Sequence, residues 1–107
     1  MEKLEIRFHE LPHSKPIRSF IHKKFLGWLK KHQFIGSRDE MAKVEFFRSE
    51  LDQKVGCYIE VKRGQMYWRN FEYGKGIQDT FQTCLKHLNN QLISQYQINQ
   101  LTQTKGA

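Results

Sequence analysis

Two short runs that alternate apolar and polar residues flank one longer run at helical spacing, and this grouping limits what the chain can become. Leu4, Ile6 and Phe8 alternate with Lys3, Glu5 and Arg7, which predicts a strand over residues 3–8. Ala42, Val44 and Phe46 alternate with Lys43, Glu45 and Phe47, which predicts a second strand near Met41–Arg48. Between them Ile17, Phe20, Ile21, Phe25, Trp28 and Leu29 recur so as to fill one broad helical face. Ser14 suits the cap of that helix and Pro16 its first turn, and the pattern runs to about His32. His9–His13 is then a connecting loop and Gly36–Glu40 a polar one. A helix that carries the chain from one strand to the next is a crossover, so these two strands are expected to be parallel.

The rest of the chain turns back on itself locally. After a polar turn over Ser49–Gln53, Val55, Cys57, Ile59 and Val61 alternate through a third strand, Lys54–Lys62. Arg63-Gly64 is a hairpin turn into a fourth strand over about Gln65–Tyr73. With a two-residue turn, Met66 and Trp68 share a face with Val61 and Ile59, while Tyr67, Arg69, Phe71 and Tyr73 face the other way. A bulge would reverse this. Gly74-Lys75-Gly76 ends the strand, and Ile77, Phe81, Cys84, Leu85, Leu88 and Leu92 predict a second amphipathic helix to about Ser94. Asp79 in its first turn suits the positive end of the helix dipole. The expected fold is α+β in the order β-α-β-β-β-α, a four-stranded sheet with both helices on one face. A single domain covers residues 1–94, and the polar tail 95–107 is expected to be disordered.

Charge singles out the first helix. The chain carries 18 Lys and Arg against 11 Asp and Glu, a formal net charge of +7. Leu11–Arg38 holds Lys15, Arg18, Lys23, Lys24, Lys30, Lys31 and Arg38 and no acidic residue, so the whole excess lies in this segment. His13, His22 and His32 lie there too. On a helical projection Ser19, Lys23 and Lys30 oppose the apolar face, Arg18 and His22 run along one edge, and Lys24 and Lys31 along the other. Charge on the outside of a surface helix is commonly just solvated, but such a helix usually mixes Glu with Lys at i,i+4. Here only like charges repel, with Lys15 and Arg18 at the unfavourable end of the dipole. The pattern implies a polyanionic partner, and a pI near 9.6 points the same way.

Other classes are disfavoured. No apolar run approaches the ~20 residues that span a bilayer, and the start of the chain, with Glu2 and Glu5, does not read as a signal peptide. Cys57 and Cys84 are isolated, as expected of small apolar residues in a reducing cytoplasm rather than a disulfide. The histidines show no metal-ligand spacing. The expectation is a cytoplasmic monomer with no cofactor, metal, membrane or small-molecule substrate.

The element order resembles the ribosome hibernation-promoting factor and ribosome-associated inhibitor family of bacteria over residues 3–94. The shared features are Leu4-x-Ile6, the Ser14 cap and the run Ile17-Arg18-x-Phe20-Ile21-x-x-Lys24-Phe25. The junction into the second helix, GKGIQDTFQTCLKHLNNQL (Gly74–Leu92), is similar in length and apolar phase to the family's Gly-x-Asp-x-Tyr-x-Ala-Ile-Asp opening and Gln-Leu close. Gly76 stands where the family has an acidic cap, Phe81-Gln82 where it has Ile-Asp, and His87 and Asn90 where it has basic residues. The resemblance implies a short, divergent form that binds the small ribosomal subunit in the mRNA and tRNA channel and stops translation in stressed or resting cells. It carries over Arg18 and Lys24 as rRNA contacts. The helical face adds His22, Lys23, Lys30 and Lys31, and the second helix adds Lys86 and His87.

Three rival readings use the same residues differently. Tyr58, Tyr67, Arg69 and Phe71 could form a platform on the open sheet face for unpaired bases, although exposed aromatics also follow from β-propensity alone. An RNA-cleaving enzyme would need His9, His13 or His22 within hydrogen-bond reach of a group such as Glu10, which no spacing supplies. A module for an acidic protein partner shares every electrostatic feature of the RNA reading.

Overall fold

The computed structural model describes residues 4–34, 36, 38–49 and 52–106, with 96–106 described by their helical backbone alone. Lys3, Ser37, Glu50 and Leu51, which the sequence reading placed in strand or loop, lie outside the described residues. The elements run β1 (Leu4–His9), α1 (Lys15–Lys31), β2 (Glu40–Arg48), β3 (Val55–Arg63), β4 (Met66–Gly74) and α2 (Ile77–Gly106). The sheet order is β1-β2-β3-β4. The crossover through α1 makes β1 parallel to β2, with Ile6 opposite Val44, and the other two pairings are antiparallel. This is the expected α+β fold.

The β4 register follows from its turn. Arg63 pairs with Met66 across a two-residue loop, Gly64-Gln65, so Trp68 falls opposite Val61 and Asn70 opposite Ile59. Gly64 adopts φ +60°, the left-handed conformation such a tight loop demands. No bulge intervenes within the pairing. Tyr67, Arg69, Phe71 and Tyr73 therefore line the open face, and β4 turns Trp68 toward the core, edge-on to Phe34 at 6.1 Å.

One apolar layer lies between the sheet and the two helices. Ile21, Phe25 and Leu29 of α1, Val44 and Phe46 of β2, Ile59 and Val61 of β3, and Phe81, Cys84 and Leu88 of α2 are all fully buried. Phe25 meets Phe81 edge to face at 6.2 Å, which joins the helices across the core. Cys57 and Cys84 are free thiols within this layer, and Cys84 Sγ donates to the carbonyls of Asn70 and Cys57.

The α1 helix begins and ends by different devices. Ser14 Oγ accepts from the Ile17 N–H at the start, and Pro16 occupies the first turn, where no N–H is needed. At the end, Gln33 takes φ 63° and donates to Lys30 O, while the Phe34 N–H reaches back to Leu29 O. This is a Schellman ending, closed by burial of both Leu29 and Phe34. The Arg63 guanidinium donates to the carbonyls of His32 and Gln33, lies 4.0 Å from the Phe34 ring, and pairs with Glu40 at 3.0 Å. Glu40 is 2% exposed. It belongs to β2, not to the polar loop read from the sequence, and Gly36 N–H also donates to it. The cation thus sits where the last turn of α1 presents its negative end.

The second correction concerns the end of α2. The apolar pattern ends this helix near Ser94, whereas its backbone continues helical to Gly106, and Ala107 lies outside the described residues. Residues 95–105 contain no Gly or Pro and are rich in Gln, with Leu101 and Lys105, all of which tolerate a helix.

A candidate nucleic-acid interface

The helices present their outer surface away from the sheet, and the cations of α1 lie there as the helical projection expects. Arg18, His22, Lys23, Lys24, Lys30 and Lys31 are all exposed. Arg18 stands on the β1 side, its guanidinium 6.0 Å from the Phe8 ring. Lys24 and Lys31 stand on the opposite edge, toward α2. Among the described residues none of Arg18, Lys23, Lys24, Lys30, Lys31 and Lys86 takes part in an ion pair, whereas Lys43, Lys54 and Arg63 each have a carboxylate partner.

Between α1 and α2 lies a groove of about 510 Å³. Phe20, Trp28 and Leu85 form its apolar side, and Lys23, Lys24 and Lys31 supply its charge. Gly27 lines it midway, one helical turn from both Lys23 and Lys31. A glycine inside a helix costs ~1 kcal/mol relative to alanine, and usually some close contact requires it. Here nothing lies within 4 Å of where its Cβ would stand. Packing gives no reason for this glycine. Its effect is to leave the groove open at the middle of a lysine row.

Polar contacts fix the wall of the groove. Trp28 Nε1 donates to Asn89 Oδ1 at 3.2 Å, and His32 Nε2 meets the same oxygen at 2.8 Å, as its N–H tautomer would. The His32 and Trp28 rings lie 4.6 Å apart. Burial chiefly holds the His32 pKa below its ordinary value; Lys31 adds to this and the Asn89 hydrogen bond opposes it. The Trp28 ring is thus tethered to α2 at its nitrogen. Sequence reading missed both the groove and its Asn89 anchor. The legible signal was Gly27, the one glycine within a run of strong helical periodicity.

Lys86 and His87 face different ways. They are adjacent in a helix and so point about 100° apart. Lys86 is exposed on the outer side, whereas His87 Nδ1 pairs with Glu72 Oε1 of β4. That hydrogen bond, with a smaller contribution from Asn70, holds the Glu72 carboxyl below the usual carboxylate range. His87 therefore stands beside the sheet, away from the α1 cations.

The open sheet face is electrostatically different. Tyr67, Phe71 and Tyr73 are exposed there, with Phe71 edge-on to Tyr73 at 4.8 Å and Arg69 over Tyr67 at 5.2 Å. On this face Arg7 pairs with Glu5 and Lys43 with Glu60, and His9 lies 3.7 Å from Glu45, so carboxylates are interspersed with the cations, although Lys62 and Arg69 take part in no ion pair among the described residues. Tyr58 donates to Glu60, and burial and that carboxylate raise its pKa. The histidines do not assemble a catalytic pair with Glu10. His13 stacks on Phe8 at 3.8 Å and His9 on Phe47 at 4.8 Å, and among the described residues none of His9, His13 and His22 bonds to Glu10. Nor do three or more His, Cys, Asp or Glu side chains gather in a way that could hold a metal ion, among the described residues. No described helix is long and apolar enough to cross a membrane.

No protein-family model and no curated protein sequence matches the chain. Solved structures do share its fold. The N-terminal domain of Protein Y from Thermus thermophilus superposes with a TM-score of 0.63 at 24% identity, over 81% of this chain and 90% of that one. A ribosomal subunit interface protein from Coxiella burnetii superposes with a TM-score of 0.67 at 18% identity, over 89% of this chain and 97% of that one. At these identities the likeness is one of architecture: the chain has the β-α-β-β-β-α fold of these two proteins.

Proposed function

We propose that this protein is a ribosome-associated regulator of translation that binds small-subunit rRNA through the outer face of α1. The observation that carries the reading is the set of unpaired cations, Arg18, Lys23, Lys24, Lys30 and Lys31, on one helix that contains no acidic residue. Uncompensated charge of one sign is what phosphates neutralise, and a helix laid along a backbone reads structured RNA by shape more than by sequence. The shared fold with a ribosomal subunit interface protein gives the polyanion a natural identity, and the mRNA and tRNA channel of the small subunit is the proposed seat. The protein acts there as a monomer without cofactor, and occupancy of that channel would halt translation.

Charge reversal tests the reading. Lys23→Glu with Lys30→Glu alters two exposed side chains and leaves the core untouched, so stability should change by less than ~0.5 kcal/mol per site. Sedimentation with ribosomes at moderate salt should fall by orders of magnitude. Tyr58→Ala with Arg69→Ala, on the open sheet face, should leave sedimentation near wild type. Loss of binding in the sheet pair alone, with both variants folded, would overturn the α1 reading in favour of a base-stacking platform on Tyr67 and Phe71.

A further inference from the structure

We infer that the groove between α1 and α2 is a seat for a single unstacked RNA base, with Lys23, Lys24 and Lys31 holding the phosphates on either side of it. The inference deepens the proposed RNA-binding function and rests on it. Backbone neutralisation alone needs only exposed lysines. It does not need a recess with an apolar side, nor a helix-destabilising glycine at its centre.

The chemistry of the groove suits a nucleotide. Phe20 and Trp28 offer aromatic surface and Leu85 an aliphatic wall, as a planar, largely apolar base requires. Its volume, about 510 Å³, falls within the range of small-ligand pockets. The charged side chains lining it are lysines and none is a carboxylate. A lone aliphatic or aromatic side chain would fit the apolar part but leave the three ammonium groups unmatched, so a protein partner would have to bring carboxylates as well. A nucleotide satisfies both parts, because its charge and its flat apolar face are separated by one sugar. Paired RNA cannot enter, since its bases are stacked inside the duplex. The Asn89 anchor on Trp28 keeps the aromatic wall in place before the base arrives.

Gly27→Leu is the decisive variant. It fills the recess, keeps every lysine, and introduces a side chain where no neighbour lies within 4 Å of the Cβ position. Gly27→Ala adds one methyl to the recess and is the graded intermediate. Both are compared with the parent for affinity to a short adenine-rich single strand and to an RNA hairpin of equal phosphate count. A melting curve confirms that each variant is folded. Gly27→Leu should bind the single strand about tenfold more weakly, the loss of one stacked base. Its hairpin affinity and its salt slope should be unchanged, and Gly27→Ala should fall between the two on the single strand. In a Trp68→Phe background, the single strand should quench Trp28 emission in the parent and not in Gly27→Leu.

If Gly27→Leu binds the single strand as the parent does, or weakens single strand and hairpin equally, the base seat is refuted while the phosphate-binding role of α1 stands. If the parent binds neither RNA, or binds without salt dependence, both fall together. Competition by a short Glu- and Phe-rich peptide, lost in Gly27→Leu, would give the groove to a protein partner and overturn the assignment to RNA.

Discussion

Removing Arg63 should loosen the end of α1 more than any other single polar substitution. In Arg63→Ala the carbonyls of His32 and Gln33 lose their guanidinium donor. The arginine side chain is 40% exposed, so water replaces it in part and each bond counts for ~0.5–1 kcal/mol. Glu40 is the larger matter. Stranding one member of a fully buried ion pair costs ~3–5 kcal/mol. Partial exposure of Arg63 and the continuing N–H of Gly36 reduce this to about 2 kcal/mol. The total is about 3 kcal/mol, or a fall of at least about 12 °C in Tm for a domain of this size. Urea unfolding followed by circular dichroism measures it directly. Glu40→Ala in the same background should recover part of the loss, since a buried carboxylate without its guanidinium is the main cost. A change below ~0.5 kcal/mol, or strict additivity in the double mutant, would refute the clamp and reduce Arg63 to an ordinary surface cation.

Binding to ribosomes or rRNA should weaken with salt, with a log–log slope of about −3 to −4 if four or five cations engage a single-strand-like backbone; a flat response would rule out phosphate contacts. The Glu72 carboxyl titrates below its unfolded value, so the folded state holds fewer protons between the two. Its contribution to stability is present above the unfolded pKa of ~4.3 and is lost as pH falls through the folded one. Glu72→Gln should flatten the acid limb of the stability–pH curve, and an unchanged limb would refute the His87–Glu72 coupling. The hydrogen bond between the two thiols and their burial push the Cys57 pKa far up, so both thiols should resist alkylation until the protein unfolds, and reductant should leave Tm unchanged. Two glycine variants should move stability in opposite directions: Gly27→Ala up by as much as ~1 kcal/mol, and Gly74→Ala down by ~2 kcal/mol, because its Cβ would press on Thr80.

The parts of this fold that were legible in the chain are those where periodicity decides. The alternation of Val55–Val61 and a two-residue turn left Trp68 facing the core unless a bulge intervened, and none does, although the turn is Gly64-Gln65 and not Arg63-Gly64. The α1 face was equally plain, because Ile21, Phe25 and Leu29 repeat every fourth residue while no acid interrupts the cations. What escaped were contacts between residues distant in sequence. Glu40 reads as a loop carboxylate until Arg63, on another strand, takes it into the core. His87 reads as a neighbour of Lys86 until Glu72 draws it to β4. The groove needs Leu85 beside Gly27, and Trp28 needs Asn89 across from it. The end of α2 was missed for another reason: polar side chains without an apolar stripe give no period to read, yet nothing in them breaks a helix.

The sheet order also sets a sequence of assembly. The β2-β3-β4 meander closes through neighbouring turns, and α2 packs most on β4 and β3. These contacts are local and cheap to form. By contrast β1 is an edge strand with one neighbour, reached only after the chain has passed through α1 and the following loop. The α1 helix therefore belongs to the part of the molecule that docks last and opens first. In native-state hydrogen exchange the amides of β1 and α1 should open together at lower free energy than those of β3, with the Arg63 clamp as the hinge pin. A helix on such an edge can change its angle while the rest of the domain stays rigid.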